Sequence, residues 1–84
     1  MVYIFHTDAG HGWLEVGRDE LVELRIADQI SSYSYQRGKK VYLEEDCDAS
    51  TFINALDAKG LKPTIHYATQ EEESFIRSLP RYRY

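Results

Sequence analysis

Side-chain character alternates cleanly at Ile30–Gln36, ISSYSYQ, and again at Lys40–Asp46, KVYLEED. With RGKK between them, these two runs predict a β-hairpin. Val2–Thr7, VYIFHT, is rich in β-branched and aromatic residues and predicts a strand. Asp8–Gly12 carries two glycines and predicts a turn, after which Trp13–Val16, WLEV, alternates as a returning strand. RDELVELRI, residues 18–26, places Leu21 and Leu24 at helical spacing, with Asp19 and Glu20 in the first turn, where the helix dipole favours acids. Asp48–Gly60 predicts a second helix: Asp48 or Ser50 as cap, Phe52, Ile53, Ala55 and Leu56 as buried stripe, Gly60 just past the end. Lys62–Ala68 reads as a fifth strand, with Pro63 at its start. QEEESFIRSL, residues 70–79, reads as a third helix stopped by Pro80, and RYRY, residues 81–84, as a basic, aromatic tail. The resulting order, ββαββαβα, predicts one α+β domain over residues 1–84. Its five-stranded sheet should be mostly antiparallel, with helices on one face.

The central hairpin sorts its side chains by face. Tyr33, Tyr35, Tyr42, Glu44 and Asp46 fall on one side; Ile30, Ser32, Ser34, Val41, Leu43 and Glu45 fall on the other. One reading makes the tyrosines the core side. The other makes them a solvent-facing stripe edged by acids, a surface suited to protein contact because tyrosine covers much area at little rotamer cost. On the second reading the contact set is Tyr33, Tyr35, Tyr42, Glu44, Glu45, Asp46 and Asp48.

Composition and charge narrow the partners. With 43% hydrophobic and 29% charged residues the chain has the profile of a folded protein. Net charge is -4, and because RYRY contributes +2, residues 1–80 carry -6. That balance disfavours a duplex binder, which draws its affinity from Lys and Arg, and favours a basic protein surface as partner. An aromatic sheet face can also stack single-stranded nucleic acid, but only Arg37, Lys39 and Lys40 supply positive charge nearby. No apolar run approaches a membrane span and the N-terminus has no signal-peptide pattern, so a cytoplasmic setting is expected. An exposed edge strand would permit a homodimer.

HTDAGHGW, His6–Trp13, is the stretch where catalytic or metal chemistry would sit. His6, Asp8 and His11 are possible ligands, and His66 could add a third histidine. Zinc needs three or four converging ligands, and the spacing matches no metal-site pattern. A turn is the simpler reading, with a small metal-dependent enzyme as the alternative. No nucleophile elbow, phosphate loop or cysteine pair is present. The single cysteine, Cys47, lies between two acids that raise a thiol pKa, so it reads as a packing residue. EEDCD, residues 44–48, lacks the glycine and length of a calcium loop. No cofactor is expected.

The pattern GHGWLEV…ISSYSYQRGKKVYLEEDCD…F resembles a family of small, mostly uncharacterised proteins of phages and bacterial mobile elements, over much of residues 6–52. No catalytic motif is attached to that family, so no residue role carries over. The resemblance implies a setting: small phage-borne proteins often bind and block host machinery, including CRISPR and restriction complexes. It yields the expectation of a non-enzymatic inhibitor, working in the bacterial cytoplasm, that occludes a basic surface of a nucleic-acid-binding defence complex.

Overall fold

A computed structural model describes all 84 residues, Met1 to Tyr84. Five strands, β1 (Val2–Thr7), β2 (Gly12–Gly17), β3 (Tyr35–Arg37), β4 (Lys40–Glu44) and β5 (Thr64–Thr69), form one sheet in the order β3-β4-β2-β1-β5. Helix α1 (Arg18–Glu23) follows β2 and α2 (Asp48–Ala58) follows β4. Short 3₁₀ turns occupy Ala27–Gln29 and Phe75–Ser78. Pairings β1/β2, β2/β4 and β3/β4 are antiparallel, and only β1/β5 is parallel. The expected α+β class and mostly antiparallel sheet therefore hold, with one parallel pair added.

Register decides the two faces. Val16 pairs with Val41 and Leu14 with Leu43, and these four, with Tyr3 of β1, face the helices. Leu21 of α1 and Phe52 and Leu56 of α2 pack onto them as the main core. Phe52 is fully buried and meets the Tyr3 ring edge-on at 5.2 Å. Each such side chain contributes roughly 1.5–3 kcal/mol by leaving water. Both α-helices thus lie on one face, as the mostly antiparallel α+β arrangement predicts, and it is the Val41 and Leu43 side of the hairpin that they cover. The opposite face carries His6, Trp13, Glu15, Tyr42, Glu44 and Tyr35, since Trp13 pairs with His6 and Glu44, and Tyr42 with Glu15 and Tyr35.

Several elements depart from the sequence expectation. The helix expected over 70–79 is the single 3₁₀ turn Phe75–Ser78, capped by Ser74, whose hydroxyl accepts the Ile76 N–H at 3.3 Å. Three consecutive glutamates precede it, and Ile76 is the only residue of that turn it buries, so no apolar stripe exists to hold a longer helix. This turn packs on the second face, where Ile76 joins Trp13 and Tyr42 in a small second core. The expected strand Ile30–Gln36 shrinks to Tyr35–Arg37 because Ser31 and Ser34 turn inward to hydrogen-bond the Asp48 carboxylate. Asp48 is consequently no helix cap, nor is Ser50: residue 47 holds the cap position and makes no side-chain cap bond. Helix α1 ends at Glu23, short of Ile26. Finally, RYRY is no loose tail. Tyr82 is buried, donates its hydroxyl to the Ala27 carbonyl and its N–H to the Ser34 carbonyl, while Arg81 bridges to Tyr35.

Candidate functional site

On the second face lies a shallow groove of about 440 Å³. Trp13 of β2 and Tyr35 of β3 form its floor, with ring centroids 6.2 Å apart and planes at 73°. Tyr33, 67% exposed, stands at the rim on the Ser31–Ser34 turn. Glu44, Asp46, Cys47, His11 and Arg81 complete the lining of the groove.

Two internal carboxylates hold this arrangement. The buried Asp48 accepts from the Ser31 N–H (3.0 Å), the Ser31 hydroxyl (2.6 Å) and the Ser34 hydroxyl. Ser34 then accepts the Glu44 N–H at 2.9 Å, so the Tyr33 turn is fastened to Glu44. Asp8 accepts the N–H groups of Gly10, His11 and Ser74 at 3.0 Å each, and a bidentate pair from Arg77 Nε (2.7 Å) and Nη2 (2.8 Å). Hydrogen bonding by the Arg77 guanidinium, helped by the Ser74 N–H, holds the Asp8 carboxyl far below the usual carboxylate range. Arg77 in turn lies over the Trp13 ring at 5.5 Å. The Asp8 turn and the C-terminal segment are thereby clamped around the groove floor.

HTDAGHGW is accordingly a turn. The Asp8 N–H donates to the His11 carbonyl at 3.0 Å, and a side chain at position 12 would meet the Phe5 ring at 2.8 Å, which explains Gly12. The candidate metal set does not assemble. His6 is bound to Glu15 through Nε2 at 2.8 Å and packs edge-on to Tyr42 and Phe75; Asp8 is filled by its five donors; His11 is exposed beside Trp13; His66 is exposed on β5. No group of three or more His, Cys, Asp or Glu side chains is placed to hold a metal ion.

The expected contact set divides. Tyr33, Tyr35, Glu44 and Asp46 come together in the groove, and Glu45 is exposed beside Asp46. Tyr42 and Asp48 leave the set: the Phe75–Ser78 turn covers Tyr42, 1% exposed, and Asp48, 2% exposed, is spent on its serines. Cys47 is exposed rather than packed, and the Asp48 carboxylate beside it pushes its thiol pKa up. Trp13 and Arg81 were missed as groove residues. The alternation of WLEV puts Trp13 opposite Leu14, but only the β2/β4 register shows which face that is. Arg81 had a local signal in the Arg-Tyr alternation of RYRY, which is the alternation of a short extended segment.

Electrostatically the groove is two-sided. Glu44 spends its carboxylate locally, accepting the N–H groups of Asp46 (2.9 Å) and Cys47 (3.1 Å), whereas Asp46 is exposed and Glu45, also exposed, lies with its carboxylate against Gly12. Arg81 lies over the Tyr35 ring at 4.7 Å and donates to the Ser32 carbonyl at 3.2 Å. The Arg81 guanidinium is thus seated on an aromatic face in a groove that Glu44 and Asp46 also line. No helix is long and apolar enough to cross a membrane. Set against protein-family models, characterised proteins and solved structures, the chain matches none.

Proposed function

We propose that this chain is a non-enzymatic protein-binding module that docks a basic protein segment along the Tyr33–Tyr35–Asp46 groove. The observation that carries this reading is Arg81, whose guanidinium rests on Tyr35 at 4.7 Å within a groove that Glu44 and Asp46 also line. The chain satisfies this surface with its own arginine; a partner's arginine or lysine would find the same chemistry at Tyr33 and Asp46. Aromatic and acidic residues in one concavity give both contact area and charge complementarity. Cys47 and His11 both line the groove, but the Cys47 thiol donates to the Asp48 carboxylate, whose charge pushes the thiol pKa up, the wrong direction for a nucleophile, and the acids do not converge as metal ligands. A basic, nucleic-acid-binding channel of a bacterial defence complex is a target of this kind, and blocking such a channel is the role we assign.

Titration of the ¹⁵N-labelled chain with an arginine-rich peptide tests the proposal. Amide shifts should concentrate at Trp13, Tyr33, Tyr35 and Asp46, and Tyr33→Ala with Asp46→Lys should weaken binding at least ~10-fold, about 1.4 kcal/mol. Both residues are exposed, so the fold should stay intact. Absence of shifts at millimolar peptide, or shifts centred away from the groove, refutes it. Binding of a single-stranded oligonucleotide that weakens steeply with salt would favour the nucleic-acid reading instead.

A further inference from the structure

The two edges of the sheet are treated differently. Edge strand β3 is three residues long and is covered by the chain itself: Gln36 N–H donates to the Pro80 carbonyl at 2.9 Å, and Tyr82 N–H to the Ser34 carbonyl at 2.8 Å. Edge strand β5 runs six residues, TIHYAT, pairs with β1 along its whole length, and carries no charge, proline or bulge. Those are the devices that normally blunt an edge. The Thr64 N–H donates to the Met1 carbonyl and the Gln70 N–H to the Thr7 carbonyl. Alternation therefore turns the main-chain groups of Thr64, His66 and Ala68 toward β1, and those of Ile65, Tyr67 and Thr69 outward.

We infer that β5 pairs with β5 of a second copy, antiparallel about a two-fold axis at Tyr67. In that register Tyr67 faces Tyr67 and Ile65 faces Thr69, so the three outward residues of each chain exchange six N–H···O=C bonds. Tyr67, 73% exposed and stacked on Phe5 at 5.8 Å, lies on the axis. Charge selects the same orientation. Lys62 precedes β5 and Glu71–Glu73 follow it; antiparallel pairing sets each Lys62 toward the partner's Glu72, while parallel pairing would align like charges. The groove lies at the far end of the sheet, at β3, and stays open in the dimer.

Sedimentation equilibrium of the full chain at low salt should show a reversible dimer, with Kd on the order of 10–100 μM for so small a contact. Lys62→Glu should weaken it roughly fivefold, as should Glu72→Lys, and the double variant should restore it. In a Cys47→Ser background, Tyr67→Cys should oxidise to a disulfide dimer, because paired Cα atoms on the axis stand about 5.5 Å apart. Thr69→Cys should not, since its own copies would lie roughly 13 Å apart. A monomer at 500 μM chain, a dimer indifferent to the charge exchange, or equal cross-linking at positions 67 and 69 overturns the inference.

Discussion

Asp48 shows how much of this surface is organised by one buried group. Its carboxylate gathers Ser31 and Ser34, and those bonds convert an alternating run into the turn that presents Tyr33. Asp48→Ala should cost about 2–3 kcal/mol, because the Ser31 N–H and the Ser34 hydroxyl would be left buried without an acceptor. Urea denaturation with an unchanged m-value would register this as a lower midpoint. An aspartate at a helix start ordinarily caps that helix, and residue spacing cannot distinguish a cap from a carboxylate reaching back seventeen residues to Ser31. The same holds for Asp8. Its partners Ser74 and Arg77 lie far along the chain, so an acid beside two histidines keeps a metal-site alternative to the turn open until the tertiary contact is known. Tyr35 and Glu44, by contrast, were legible as neighbours on one face, because both lie in the strands of a hairpin whose period-two alternation needs only local information, whereas Tyr33 sits on the turn and Asp46 beyond the end of β4.

At the scale of elements, both helices end in the same way. In α2 the Gly60 N–H donates to the Asp57 carbonyl and Leu61 N–H to Leu56, with Gly60 at φ 73°. In α1 the Arg25 N–H donates to Val22 and Ile26 N–H to Leu21, but the left-handed position, φ 60°, is held by an arginine. The glycine announced the first ending; the arginine hid the second, which is why the sequence predicts a helix running on to Ile26. Replacing Arg25 with glycine relieves the left-handed strain and should raise stability by about 0.5–1 kcal/mol, after allowance for the greater freedom of glycine in the unfolded chain. Thermal unfolding should shift upward by a few degrees. The C-terminal segment makes the opposite case. RYRY looks dispensable by composition, yet the 4%-exposed Tyr82 fills the main core and covers the β3 edge. Tyr82→Ala should therefore destabilise by about 3–4 kcal/mol, close to the cost of truncating any large core aromatic. Far-UV circular dichroism against urea would separate that loss from the small effect expected of Arg83→Ala, whose side chain is exposed.

For the molecule as a whole, two kinds of packed group, a clamped carboxylate and buried tyrosines, set opposite limits on pH. On the second face, Asp8 stays ionised in the folded chain to far lower pH than in the unfolded chain, where an aspartate titrates near ~3.9. Below that point the unfolded state binds a proton that the folded state refuses, so stability falls as pH falls from about 5. On the helix face, burial, reinforced by the Glu20 carboxylate, pushes Tyr3 up to about 12. Burial raises Tyr42 and Tyr82 as well. Unfolded tyrosines ionise near ~10 while these three remain neutral, so stability falls again as pH rises above that value. The stability profile should drop below about pH 5, begin to fall gently above about pH 8, where unfolded Cys47 ionises before the folded thiol, and fall more steeply above about pH 9.5 as the tyrosines follow. Asp8→Asn separates the limbs. It removes the charged acceptor for Arg77, so it should lower the plateau and flatten the acid limb, leaving the alkaline limb in place. Tyr42→Phe should do the reverse, since its hydroxyl receives only a 3.4 Å bond from Arg37: the plateau changes little and the alkaline drop becomes shallower. Urea midpoints measured from pH 2.5 to 11.5 for the three chains decide the matter. An acid limb equally steep in Asp8→Asn would mean that carboxylates elsewhere, and not the clamp that joins the Asp8 turn to the C-terminal segment, set the acid stability of this fold.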